Sequence, residues 1–290
     1  MGRFPSIPSS KGAVFCMSFL RLDSMILDDE MLAAFRSDGA VTAPQLFPRE
    51  MFSDFYSEVL TIAGMIAPDA VEEADGSIDK AWMGLARRDR KMAGTLYDAV
   101  KHSMALRRFA MSPPLVEAVS TALGDTALAL VDLNFRIDAP SEPQFLFSWH
   151  QDYWFSMCSP KALVAWIPMM PLDEEVGGIE YFPLSATGGR ILSAKRAPEY
   201  RSYSDSILLN EPIPNGKPRR PLISWGDALL FSFDVLHRSL PNRALDRCRW
   251  TVQLRFVAYS DDAFLKERYR PGLVTKEHIT YLERMEGQRQ

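Results

Sequence analysis

The chain has 290 residues, of which 47% are hydrophobic and 24% charged, the composition of an ordinary globular protein. This excludes a disordered, collagen-like or disulfide-scaffolded chain, and the length fits one large domain. The 33 lysines and arginines against 37 aspartates and glutamates give a net charge of −4, so no basic excess is available to neutralise phosphates. No apolar run approaches the ~20 residues that span a bilayer. The sequence therefore predicts neither a nucleic-acid nor a membrane partner.

The cysteines indicate the compartment. There are three, scattered and without C-x-x-C spacing, namely Cys16, Cys158 and Cys248. An odd, scattered set is typical of reduced thiols, so we expect a cytoplasmic protein. Residues 12–20 form a short apolar stretch like the core of a signal peptide, but charged residues follow directly and no small-residue cleavage site is present. We therefore expect residues 1–24 to be an N-terminal extension.

The rest of the chain, residues 25–290, is predicted to be a single domain with three textures. Apolar residues recur at helical spacing through 25–124, and helices are expected at 96–109 and 114–123 among others. Residues 125–260 are expected to be β and 261–290 a C-terminal helix. The predicted strands are short and lie between proline, glycine and asparagine breakers, at 127–137, 144–152, 162–169, 179–183, 221–232 and 249–259. Such strands favour an antiparallel sandwich or jelly roll, and the polar stretch 194–220 is predicted to be a surface loop or lid.

One histidine–carboxylate pair carries the strongest chemical signal. His150 and Asp152 form the H-x-D motif of the chain, and in a strand residues i and i+2 point to the same face. His237 ends a later apolar strand and could complete a set of two histidines and one carboxylate. Such a set holds one face of an octahedral Fe(II) and leaves three positions open. The alternative is that His237 binds no metal and only makes a hydrogen bond that stabilises the fold.

Two predicted strands alternate polar and apolar residues, and their polar faces are candidates for a cavity wall. One face carries Asp132, Asn134 and Arg136, and the other carries Arg249, Thr251, Gln253 and Arg255. The alternative is a sheet with one face in water. If the face is buried, unsatisfied polar groups would cost ~1–3 kcal/mol each, which favours a small polar or acidic substrate over a lipid. The candidate substrate contacts are Asn134, Arg136 and Trp154, although Arg136 could instead pair with Asp138 or Asp132.

With these motifs in order, the sequence resembles the phytanoyl-CoA dioxygenase family of Fe(II)/2-oxoglutarate oxygenases over about residues 28–260. The matching stretches are Leu32–Val41, Trp149–Tyr153, Gly177–Pro183 with Ser185, Gly226–Phe231 and His237–Asn242 followed by Arg249. The ordered set is far more specific than any one motif. The resemblance implies a mainly β fold with flanking helices, built on a double-stranded β-helix (a cupin-like jelly roll).

The resemblance also implies roles for individual residues. It places iron on His150, Asp152 and His237, and it makes Arg249 the arginine that binds the far carboxylate of 2-oxoglutarate, with Thr251 and Ser239 beside it. The family's arginine often comes eleven residues after the distal histidine, where this chain has Cys248, and Arg249 comes twelve residues after His237. Arg247 is therefore a rival.

The implied reaction is hydroxylation of a small molecule with Fe(II), 2-oxoglutarate and O₂, releasing succinate and CO₂, with ascorbate as reductant in vitro. Related halogenases lack the carboxylate ligand, so Asp152 favours hydroxylation or another oxidation over halogenation. Three alternatives stay open: a catalytically silent binding module, a metal enzyme that does not use 2-oxoglutarate, and an oxygenase acting on an acyl thioester. The sequence does not indicate the oligomeric state.

Overall fold

The computed structural model describes residues 26–140, 142–156, 159, 161–197, 204, 206–262 and 264. The expected N-terminal extension, Cys16, Cys158 and nearly all of the expected C-terminal helix lie outside these residues. Within them, no helix is both long and apolar enough to cross a membrane.

Helices make up most of the first hundred described residues, as the apolar spacing predicts. The helices are α1 (Asp29–Asp38), α2 (Arg49–Ile66), α3 (Pro68–Glu72), α4 (Ile78–Arg88), α5 (Arg90–Val100), α6 (Met104–Ala110) and α7 (Pro113–Leu123). Local signals set their ends: the Asp28 carboxylate accepts a hydrogen bond from the Met31 amide, and Gly124 ends α7 in the left-handed conformation. The single helix expected over 96–109 is two helices, because the Ser103 hydroxyl accepts from the Leu106 amide and starts α6 afresh.

Among the described residues, the strands form one five-stranded antiparallel sheet and two strand pairs. They are β1 (Ala40–Ala43), β2 (Leu128–Asp138), β3 (Leu163–Pro168), β4 (Ile179–Phe182), β5 (Ala194–Arg196), β6 (Ile207–Leu209), β7 (Ala228–Ser232), β8 (Leu236–Ser239) and β9 (Arg249–Ala258). The large sheet has the order β1-β7-β3-β9-β2, and the pairs are β4-β8 and β5-β6. Short helices follow β2 and β4 at α8 (Tyr153–Ser156) and α9 (Leu184–Thr187). The expected jelly-roll core with flanking helices is confirmed.

Two expected β segments and one expected loop differ from the structure. Residues 144–152 contain a 3-10 turn at Pro143–Phe145 and a single bridge at His150 in place of a strand. Only the last part of 221–232 is a strand, because the chain turns at Gly226, whose φ is +99°. The stretch 194–220, expected to be a loop, contributes the hairpin β5-β6.

The helices cover one face of the large sheet and leave the other face toward the β4-β8 pair. On β9, Trp250, Val252 and Leu254 join the helical core, in which Phe55 and Phe109 are also fully buried. The alternate residues of β9 are equally buried although they are polar. The polar face of β9 is therefore an interior face and not a wet one, whereas Asp132, Asn134 and Arg136 on β2 are half-buried.

Gly39 lies where the helical layer packs closely against the rest of the fold. Gly39 and Gly124 both end helices with positive φ, at 77° and 70°. A Cβ on Gly39 would lie 2.5 Å from Cγ2 of Val235, whereas a Cβ on Gly124 would meet nothing within 4 Å. We expect Gly124→Ala to lower the free energy of unfolding by about 1–2 kcal/mol through backbone strain, and Gly39→Ala to lower it clearly more because of the added clash. Denaturant unfolding of the two variants tests this, and equal losses would contradict it.

Candidate iron centre

His150, Asp152 and His237 come together inside the protein, as the sequence predicts. Each offers one ligand atom, and these three atoms lie within 4.8 Å of one another. All three residues are buried. The two histidines are held by an isolated antiparallel bridge, in which the backbone N–H of each donates to the carbonyl of the other at 3.0 Å.

Backbone carbonyls fix the tautomer of both histidines. Nδ1 of His150 lies 2.7 Å from the Ser148 carbonyl, and Nδ1 of His237 lies 3.0 Å from the Val235 carbonyl. Because a carbonyl only accepts, each Nδ1 carries the proton and donates, which leaves the Nε2 lone pair for a metal. Burial, reinforced by the neighbouring His150, lowers the pKa of His237 to about 3. His237 is therefore neutral at physiological pH, as a metal ligand must be.

Asp152 supplies the negative charge of the set. Burial alone would raise the pKa of Asp152, but Arg255 and the two histidines outweigh it and hold that pKa well below its ordinary value. One carboxylate oxygen, Oδ1, lies 3.5 Å from Nε2 of His150, and the other, Oδ2, lies 3.2 Å from Nη2 of Arg255. Two imidazole nitrogens and an ionised carboxylate are the donor set that non-haem Fe(II) takes, so the residues present fit this metal.

A cavity opens beside the three ligands, between the large sheet and the β4-β8 pair. Apolar side chains form much of its wall, including Phe147, Trp166, Ile179 and Phe231. Its other lining residues are polar, namely Arg136, Ser239, Gln253 and Arg255 together with the metal-site residues. The cavity thus combines apolar walls with polar groups that converge on the metal site, which suits a small molecule that carries both kinds of group.

Arg249 is buried on β9, the strand that carries Gln253 and Arg255 to the cavity, but it is not among the lining residues. Its Nε and Nη2 donate to Oδ2 of Asp138 at 3.1 and 3.0 Å. Its Nη1 faces three backbone carbonyls, those of Val176, Gly178 and Leu240, at 2.7 to 3.3 Å. The guanidinium thus has a carboxylate partner within the protein, which sequence reasoning did not foresee.

The other residues expected at the co-substrate site are placed differently. Ser239 lines the cavity, whereas Thr251 lies outside the lining and its hydroxyl accepts from Nε2 of Gln253 at 3.0 Å. The rival Arg247 lies near the surface, with its side chain 34% exposed and paired with Asp173 and Glu175.

Arg136 both pairs with Asp138 and lines the cavity, so the two interpretations of its role are compatible. Its Nη2 lies 2.6 Å from Oδ1 of Asp138 and 2.6 Å from the Phe145 carbonyl. Its guanidinium carbon lies 4.6 Å from the centre of the Phe147 ring, and its buried Nε has no hydrogen-bond partner. One carboxylate therefore faces two guanidinium groups, Arg136 and Arg249, which leaves this cluster one positive charge in excess.

The remaining substrate candidates do not reach the cavity lining. The indole N–H of Trp154 donates to the Leu192 carbonyl at 2.9 Å, and its ring packs against Ala194. Asn134 is half-buried opposite Gln253 in the β2-β9 register. In contrast, sequence reasoning named Asp138 only as a possible partner of Arg136, and it placed Arg255 on the polar face without assigning it a contact. The signal was present, since Arg255 shares the polar face of β9, but its partners lie more than a hundred residues away along the chain.

Two histidines and one carboxylate inside an antiparallel jelly roll, beside a small-molecule cavity, define the class of non-haem iron oxygenases. The chain belongs to the phytanoyl-CoA dioxygenase (PhyH) family, whose sequence profile matches residues 35–249. The family match and the three-ligand site confirm the oxygenase class and the expected iron and 2-oxoglutarate cofactors, which the resemblance implied.

Individual relatives agree with this class. The chain is 25% identical over 235 residues to 1-deoxypentalenic acid 11-beta-hydroxylase of Streptomyces arenae, covering 72% of this chain and 81% of the relative. Among solved structures, it is similar to the non-heme monooxygenase ThoJ, with a TM-score of 0.53, 18% identity, and coverage of 79% of this chain and 77% of the other. It is also similar to the epimerase SnoN in complex with Fe3+, alpha ketoglutarate and nogalamycin RO, with a TM-score of 0.50, 16% identity, and coverage of 79% and 82%. The two structures establish the fold.

Proposed function

We propose that the protein is an Fe(II)/2-oxoglutarate-dependent hydroxylase of a small polar metabolite, releasing succinate and CO₂. The observation that carries the proposal is the buried set of His150, Asp152 and His237, whose three ligand atoms lie within 4.8 Å of one another. Iron and 2-oxoglutarate, when bound, supply the oxidising chemistry with O₂. The protein holds the ligands, orients the substrate and excludes water.

For 2-oxoglutarate we propose Arg249 as the carboxylate-binding residue, with Ser239 and Thr251 beside it. Ser239 lines the cavity, and Nη1 of Arg249 donates to the carbonyl of Leu240, the next residue after Ser239. An always-charged guanidinium suits a buried carboxylate. The excess positive charge of the cluster formed by Arg136, Asp138 and Arg249 supports an anion at this end of the cavity.

The substrate side of the proposal rests on Arg136. Its buried Nε lacks a partner and belongs to a residue that lines the cavity, so a polar atom of the substrate would satisfy it. The similar Streptomyces enzyme is named for an acid substrate, which is in keeping with a polar or acidic metabolite. The aromatic walls formed by Phe147, Trp166 and Phe231 suit the carbon skeleton of that metabolite.

A panel of small polar and acidic metabolites, with acyl thioesters as the competing class, tests the proposed reaction. Succinate release is followed in the presence of Fe(II), ascorbate and 2-oxoglutarate. We expect a polar metabolite to raise succinate release above the substrate-free level in the native protein and not in Asp152→Ala. Stimulation by acyl thioesters alone would contradict the substrate class.

The Arg136→Ala variant separates substrate contact from co-substrate binding. We expect 2-oxoglutarate to bind the iron-loaded variant with nearly native affinity while turnover of the true substrate is lost. Arg108→Ala is the control, because Arg108 is an exposed arginine paired with Asp54 on the helical layer. Unchanged turnover in Arg136→Ala would contradict substrate contact, and a matching loss of 2-oxoglutarate affinity would move Arg136 to the co-substrate site.

We also propose that the enzyme works in the cytoplasm. The three scattered cysteines support this, and Cys248 is a buried free thiol.

A further inference from the structure

Arg255 joins one of the proposed iron ligands to a second carboxylate on the neighbouring strand. Its Nη2 lies 3.2 Å from Oδ2 of Asp152, and its Nη1 donates to Oδ2 of Asp132 at 2.8 Å. The Arg255 side chain is only 8% exposed, and that of Asp152 3%, so water screens this ion pair little. The two terminal nitrogens of one planar guanidinium thus contact two different carboxylates.

The strand register places the second carboxylate where it can hold the arginine. Asp132 of β2 is the direct antiparallel partner of Arg255 of β9. The register shifts between Leu130 and Asp132, so the bulge brings Asp132, and not its neighbour Val131, opposite the arginine. Of the three charged residues Asp132, Arg255 and Asp152, Asp132 is the most exposed, with 39% of its side chain accessible. Asp132 therefore anchors Arg255 from the outside, and Arg255 reaches inward to Asp152.

This arrangement distinguishes the two oxygens of Asp152. Oδ1 lies on the side of His150, 3.5 Å from its Nε2, while Oδ2 is engaged by Arg255. A carboxylate with both oxygens free could take two coordination positions on a metal, which would leave one fewer for 2-oxoglutarate and O₂. With Oδ2 held by a guanidinium, only Oδ1 is offered.

We propose that Arg255 is a positioning residue that restricts Asp152 to binding the metal through one oxygen, and that Asp132 fixes Arg255 for this task. The inference rests on the proposed iron site. Removing a residue that holds a metal ligand in place typically lowers metal affinity by about 10–100-fold, so the effect can be measured by metal binding alone.

Anaerobic titration with Co(II), followed by its visible absorption spectrum, tests the proposal without any turnover. We expect Arg255→Met to bind Co(II) about 10–100-fold more weakly than the native protein and to give a spectrum of altered intensity and shape. Arg255→Lys restores the charge but not the two-armed fork, so we expect it to recover part of the affinity and not the native spectrum. Asp132→Asn should change the spectrum in the same direction but less.

Arg88→Met is the matched control, since Arg88 also bridges two carboxylates, Asp69 and Glu73, far from the cavity. Thermal unfolding without metal shows whether each variant folds, and Asp132→Asn keeps the test decisive if Arg255→Met does not. Native affinity and spectrum in the folded Arg255 and Asp132 variants would overturn the proposal, as would complete rescue by lysine, which would reduce Arg255 to a neutralising charge. If Asp152→Ala binds Co(II) as the native protein does, the iron site itself is wrong, and this outcome is distinct from a failure confined to Arg255.

Discussion

Replacing His237 with alanine is expected to abolish stoichiometric iron binding. The variant loses one of three protein ligands. Its metal affinity should therefore fall by more than the roughly 10–100-fold that follows from removing a residue that only supports a ligand. Metal analysis after anaerobic reconstitution with Fe(II) measures the effect, and one iron per chain is expected for the native protein.

His102→Ala is the matched control, because His102 is an exposed histidine just beyond α5. It should retain full iron occupancy. Full occupancy and turnover in His237→Ala would show that His237 is not a ligand and that the proposed iron site is wrong.

Replacing Arg249 with alanine is expected to raise the apparent dissociation constant for 2-oxoglutarate by orders of magnitude. Breaking a buried ion pair typically costs ~3–5 kcal/mol, and the same substitution deprives Asp138 of one of its two guanidinium partners. The melting temperature should therefore fall as well. Calorimetric titration of 2-oxoglutarate into the iron-loaded protein without oxygen, together with thermal unfolding, separates the two effects.

Arg247→Ala is the control for Arg249, because Arg247 makes its ion pairs near the protein surface. It should change neither the affinity for 2-oxoglutarate nor the stability by much. If Arg249→Ala is destabilised but binds 2-oxoglutarate normally, Arg249 serves only to hold Asp138 and the carbonyls around it. If Arg247→Ala shows the loss of affinity, the role belongs to Arg247.

The sequence predicts the parts of this molecule that depend on short-range periodicity. On both β2 and β9, the alternation of polar and apolar residues identifies a polar and an apolar face. The register then pairs polar residues of one strand with those of the other, Asn134 with Gln253 and Arg136 with Thr251. The grouping of His150, Asp152 and His237 also follows from motif spacing and resemblance. Each of these features depends on residues that are close together in the sequence, or on the pairing of two neighbouring strands.

Contacts that depend on register and turns could not be read from the sequence. His150 and Asp152 meet although residues 144–152 are not a strand, because the bridge to His237 positions the first and a turn carries the second. The ion pairs between Arg249 and Asp138 and between Arg255 and Asp152 join residues about a hundred positions apart. Trp154 shows the converse, since its place next to the motif gave no indication that its indole N–H would bind the Leu192 carbonyl.

We expect iron at His150, Asp152 and His237 to create the binding site for 2-oxoglutarate. The most direct test is calorimetric titration of 2-oxoglutarate into the anaerobic protein, with and without one equivalent of Fe(II), in the native chain and in Asp152→Ala. We predict one 2-oxoglutarate per chain in the native iron-loaded protein, and much weaker binding without iron or in the variant. Equal binding in all of these samples, or no binding in any of them, would contradict the account.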